Sequence, residues 1–140
     1  MIKSIKDVVP GMSANRAVAI TEGLMRQFVQ LSGDDAPVHT SDDHAKALGF
    51  EGRIVHGLLI GSMYSELLGC QLPGPNSVIL KLSLDMVKPV QIGQTITFSV
   101  VVNRVSEGAK SVTLDLAGAS PVNWQVSRGT AVCVFKGQGS

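Results

Sequence analysis

Aromatic side chains are scarce in this sequence: four phenylalanines, one tyrosine and one tryptophan in 140 residues. A platform for single-stranded nucleic acid stacks successive bases on several aromatics, so that class of function is set aside. An excess of charge of one sign is also missing. The formal net charge is +1, and the basic residues are scattered without a cluster, which excludes a basic footprint for nucleic acid. Cysteine is limited to Cys70 and Cys133, far apart in the chain. They fit neither a zinc site nor a disulfide framework, and both are expected to be buried thiols. The N-terminus, MIKSIKDVVPGMS, lacks an apolar stretch long enough for a signal peptide. The most apolar run, Ile54 to Cys70, is interrupted by His56, Ser62, Ser65 and Glu66, which suits a buried helix better than a membrane span. The expectation is a cytoplasmic protein with neither membrane nor nucleic-acid partner.

What the chain does hold is apolar surface. Apolar residues make up 44% and charged ones 16%, and 140 residues suit a single domain spanning 1–140. Such a composition points to a second copy of the chain covering part of the surface. Before Pro75 helical signals dominate. Thr21 is a candidate cap for a helix with apolar positions at Leu24, Met25, Phe28, Val29 and Leu31, and Gly33 is its stop. A short helix is expected from Ser41 or Asp42 to Gly49. The run IVHGLLIGSMYSELLG then reads as a helix apolar almost all round, starting near Ile54 or Val55 and surrounded by protein. Gly57, Gly61 and Ser65 recur every four residues, a stripe that lets the helix backbone lie close to a flat partner.

The flat partner follows. Residues 80–85, 95–103 and 111–116 alternate in polarity, 129–135 is a β-rich apolar run, and 14–20 suits an edge strand. Turn signals fall at Lys88-Pro89, Gly93, Glu107-Gly108 and Gly118 to Pro121. The pattern predicts an α+β fold in which an antiparallel sheet wraps one buried helix.

Chemistry concentrates in SGDDAPVHTSDDHAKALGFEGRIVHG, which holds all three histidines. Asp34 and His39 flank Pro37, which cannot continue a helix, so an extended or turned chain is expected there. A tight bend would aim both side chains at one water, a natural acid/base pair near neutral pH. An ordinary loop with a capping aspartate is the competing reading. The N–H groups near Gly57 would lie in the first turn of the central helix, free to hold a developing oxyanion. The same glycine would also serve close packing on the sheet. His39, His44, His56, Asp42 and Asp43 lack any compact ligand spacing, and His44 is expected on an exposed helix face, so no metal is expected.

The segment Phe28 to Gly69 resembles the signature of the MaoC-like (R)-specific enoyl-CoA hydratases: an aspartate, an Asn-Pro spacer, a histidine, an alanine-bearing helix and IVHGML. That resemblance implies a hot-dog fold, usually a homodimer, with a central helix wrapped by a curved antiparallel sheet. It implies catalytic roles for Asp34 and His39, an oxyanion-hole N–H from Gly57, and a helix serine supporting the aspartate. Ser65 occupies the matching place, with Ser62 and His56 nearby. The implied reaction is addition of water to a trans-2-enoyl thioester, or its reverse. It needs no cofactor beyond the coenzyme A or acyl carrier protein of the substrate. Ala36 departs from the pattern, standing where the family has asparagine. A thioesterase on the same fold and a non-catalytic acyl-thioester binding module remain alternatives.

Overall fold

The computed structural model describes residues 1–137. A 3-10 turn at Ile5–Asp7 leads into β1 (Ser13–Ala19). Thr21 then caps α1 (Glu22–Ser32) by accepting the Leu24 N–H at 3.2 Å. Gly33 ends that helix in the left-handed region, with φ 79°. Two short helices follow, α2 (Pro37–Thr40) and α3 (Asp42–Ala47), the second capped by Ser41. The central segment consists of α4 (Gly57–Ser62), α5 (Tyr64–Glu66) and a π-helical turn (Leu67–Gln71). Four strands complete the chain: β2 (Ser77–Met86), β3 (Thr95–Ser106), β4 (Ser111–Ala119) and β5 (Ser127–Phe135).

The strands form one antiparallel sheet in the order β1-β3-β4-β5-β2. Register shifts at Ile79/Lys81 and Val102/Arg104 each leave an extra residue on one strand, which bends the sheet. β3 and β4 alternate between buried and outward positions, and the inward set (Phe98, Val100, Leu114, Leu116) packs with Leu59, Ile60 and Leu67 of the central segment. Tyr64 is buried edge-on to Phe98 and shares a 2.6 Å hydrogen bond with Ser127; burial raises its phenol above the ordinary value. Gly57 and Gly61 do face the sheet: a Cβ on either would touch β2, at Met86 Cγ (3.2 Å) and Leu84 Cδ1 (3.0 Å).

Four expectations need correction. The central helix starts at Gly57, because Ile54 is held in an isolated bridge to Gln91. It is not covered all round, since Leu58 is 75% exposed and Ser62 and Ser65 lie on the same open side. Gly118 lies inside β4 and not in a turn. Cys70 is exposed at the end of the π-helical turn; only Cys133 is buried, and burial pushes its thiol up to about 11. Among the described residues, no helix is long and apolar enough to cross a membrane.

Candidate active site

The site grows from the way α1 stops. Gly33 turns the chain, and the Ser32 hydroxyl accepts the Asp34 N–H at 3.1 Å. The Asp34 carboxylate folds back to accept the Ala36 N–H at 3.2 Å, a local Asx turn. Pro37 then opens α2, where a helix was not expected. At the first helical position its missing N–H has no helical partner to lose, and its fixed φ suits the turn. That single turn carries His39 back toward Asp34. The His39 Nδ1–H donates to the Ile54 carbonyl at 2.8 Å, which leaves Nε2 free. Nε2 lies 4.0 Å from Asp34 Oδ2. The gap exceeds a hydrogen bond and suits one bridging water or substrate oxygen.

Beneath His39 sits His56, which is 1% exposed. The two rings stack with centroids 3.9 Å apart and planes inclined by 26°, and the Phe28 ring packs on His56 with centroids 4.8 Å apart, tilted by 54°. His56 Nε2–H donates to the Asp34 carbonyl at 2.9 Å. The same residue is the N-cap of α4, so Gly57 opens the helix and its N–H has no intrahelical partner. Gly57 and His39 line one cavity of about 310 Å³, together with Ile60, Met86, Lys88 and Val126. That volume is at the lower end of small-ligand sites, and the wall is mostly apolar around a few polar groups.

Arg53 braces the loop that presents Ile54. Its side chain pairs with Glu22 of α1, and its backbone N–H donates to Asp42 Oδ1 of α3 at 2.9 Å. The hydrogen bond from Arg53 holds the Glu22 carboxyl below its ordinary value, and the guanidinium is raised in return.

The sequence profile described as MaoC like domain matches residues 8–118. The chain belongs to the MaoC-like family. It is 38% identical over 108 residues to an (R)-specific enoyl-CoA hydratase of Rhodospirillum rubrum, spanning 77% of this chain and 75% of that protein. An (R)-specific enoyl-CoA hydratase of Aeromonas caviae is 41% identical over 87 residues, 62% of this chain and 65% of the relative. Among solved structures, the (R)-hydratase from A. caviae involved in PHA biosynthesis superposes with a TM-score of 0.88 at 31% identity. The match covers 94% of this chain and 99% of that one. The unliganded R-hydratase of Pseudomonas aeruginosa gives a TM-score of 0.86 at 26% identity, covering 96% and 86%. The curved sheet around the central helix is therefore the hot-dog fold.

Within this MaoC-like chain the expected site residues divide into two groups. Asp34, His39, His56 and Gly57 come together. Ser65 does not reach Asp34: it lines a separate apolar groove with Leu58, Leu68, Leu82 and Leu84, and Ser62 there donates to the Leu59 carbonyl at 2.7 Å. His44 and Asp43 are exposed on α3. Asp34, His39 and His56 bring one potential ligand atom each within 4.8 Å of the others. Their geometry does not suit a metal ion, however. One nitrogen of each ring is spent on a carbonyl, and the remaining lone pairs lie in two ring planes stacked 3.9 Å apart and inclined by only 26°, a poor match to tetrahedral coordination. The Ile54 carbonyl, Phe28 and Met86 were not singled out from the sequence. A backbone acceptor leaves no mark in residue type, Phe28 reads only as an apolar position of the first helix, and Met86 falls one residue beyond the alternating stretch 80–85.

Proposed function

We propose that this protein catalyses reversible addition of water to trans-2-enoyl thioesters, giving (R)-3-hydroxyacyl thioesters. The carrying observation is the Asp34–His39 pair, 4.0 Å apart, with His39 Nε2 freed by the Ile54 carbonyl and His39 lining the same cavity as Gly57. The names and coverage of the relatives support the same hydro-lyase reading. Asp34 takes a proton from water as the hydroxyl adds to C3. The C2=C3 electron pair moves toward the thioester, whose oxygen is held by the Gly57 N–H, a donor worth about 3 kcal/mol in the transition state. The proton passes from Asp34 to His39 Nε2 and on to C2, so the coupled pair ends as it began. No metal or organic cofactor enters; coenzyme A or an acyl carrier protein belongs to the substrate.

We further propose that the working unit is a cytoplasmic homodimer. β2 is an edge strand whose Val78, Leu80 and Leu82 are exposed beside the open side of α4. A second copy of the chain would cover this apolar surface.

The test is loss of enoyl-thioester absorbance over a chain-length series from crotonyl-CoA upward. The parent should hydrate at least one member, and Asp34→Asn should lose about two or more orders of magnitude in turnover while keeping the fold. Asp43→Asn, at an exposed position of α3, should stay within about threefold of the parent. Release of free thiol without loss of the double bond would make the protein a thioesterase instead. Near-parent turnover by folded Asp34→Asn would rule out the mechanism.

A further inference from the structure

His56 is the least accessible of the three histidines, and the acid/base steps do not use it. Its Nδ1 is buried with no hydrogen-bond partner among the described residues. A buried polar atom left unpaired is destabilising. A phenylalanine could fill a similar volume between Phe28 and His39 without that cost, so packing alone does not account for a histidine here. What the imidazole adds is its Nε2–H, which reaches the Asp34 carbonyl across 22 positions of sequence. The ring face meanwhile stacks on His39, and the backbone caps the helix that begins with Gly57. One residue thus touches all three parts of the site.

We infer that His56 is a positioning residue for the reaction, tying the Asp34 loop to the His39 ring so that the 4.0 Å gap between their reacting atoms is held in advance. This inference rests on the hydratase reading. The tie matters because Asp34 sits on an exposed loop: its side chain is 43% exposed, against 11% for His39. Its carboxylate receives only the local Ala36 N–H, which by itself does not fix the loop against the helix. The carbonyl-to-imidazole bond does, because α4 is packed on the sheet. The face-to-face stack sets the ring plane of His39, and the Ile54 carbonyl sets its rotation within that plane. Misplacement of a catalytic group by about 1 Å can cost 100-fold in rate.

Two measurements test this. Nitrogen-15 NMR of the histidine side chains in the parent should show His56 as the Nε2–H tautomer; an Nδ1–H tautomer would overturn the inference without reference to activity. The second is a mutant cycle on hydration. His56→Phe keeps a ring but loses the donor, and it should lower kcat at least tenfold with KM within threefold. In Asp34→Asn protein the same change should alter kcat less than threefold further, because His56 acts through Asp34 and groups acting as a unit are not additive. If His56→Phe does not fold, His56→Leu carries the cycle, losing the donor with a smaller apolar side chain. A kcat within twofold of the parent, or a tenfold loss that multiplies with Asp34→Asn, would overturn the positioning role. A parent that hydrates no enoyl thioester would instead remove the hydratase reading itself, while the tautomer would still be legible.

Discussion

Ala36 shows how one side chain can be absent from a motif while its geometry survives. It is the N-cap of α2, and no side chain caps that helix. The turn is held without a contribution from the Ala36 side chain: the His39 N–H donates to the Ala36 carbonyl at 2.9 Å, and the Ala36 N–H donates to the Asp34 carboxylate. Asparagine at an N-cap accepts one of the free N–H groups of the first turn, a gain of about 1 kcal/mol over alanine. Ala36→Asn is therefore expected to raise the melting temperature by about 2–8 °C. Hydration by this variant should equal or exceed the parent's, since the bonds that place His39 are untouched. An unchanged or lower melting temperature would show that the backbone already satisfies this turn. At this scale Asp34 and His39 were legible because glycine and proline mark where the chain bends. The tie from His56 was not: its partner is a carbonyl, and a carbonyl belongs to every residue.

Strands were the most legible elements, because alternation of polarity reports directly which face meets the core. Their ends were less so. β3 runs to Ser106, three residues past the alternating stretch, since pairing with β4 through Ser106↔Ser111 carries it on after burial stops. Gly118 illustrates the opposite error. Next to serine and proline it reads as a turn, yet it pairs with Phe98 and Ser127 inside the sheet. Its lack of a side chain is what the core requires there. A Cβ would lie 2.6 Å from Ser127 Oγ and 3.1 Å from the Tyr64 hydroxyl, the two partners of the buried hydrogen bond. Gly118→Ala should therefore destabilise the protein by about 1–3 kcal/mol, the usual cost of overpacking, read as a lower urea midpoint. At Gly108, in the turn between β3 and β4, an added methyl group would meet nothing within 4 Å, and Gly108→Ala should be close to neutral. Equal effects of the two changes would mean that Gly118 is tolerated by relaxation of Tyr64.

For the whole molecule, the fold class followed from one apolar helical run beside several alternating strands, but complete burial of that run did not. A single copy leaves Leu58 75% exposed on α4 and Leu80 69% exposed on β2. β2 is also a ten-residue edge strand, and a long apolar edge with unpaired N–H and C=O groups invites another chain. The other edge, β1, is shorter and carries Arg16 at its centre, which discourages pairing there. The two edges are thus unequal, so association through β2 would close as a pair and not propagate into a fibre. Light scattering should give twice the 14.7 kDa chain mass at micromolar concentration. Leu58→Glu and Leu82→Glu place a carboxylate in the apolar groove between α4 and β2, where a second copy would have to desolvate it. In the isolated chain both positions are already open to water, so each variant should remain folded and run at the monomer mass. Hydration should fall in the same variants if the dimer supports the Asp34 loop, and persist if the site is complete in one copy. A parent that scatters as a monomer would leave β2 without its partner and overturn the dimer.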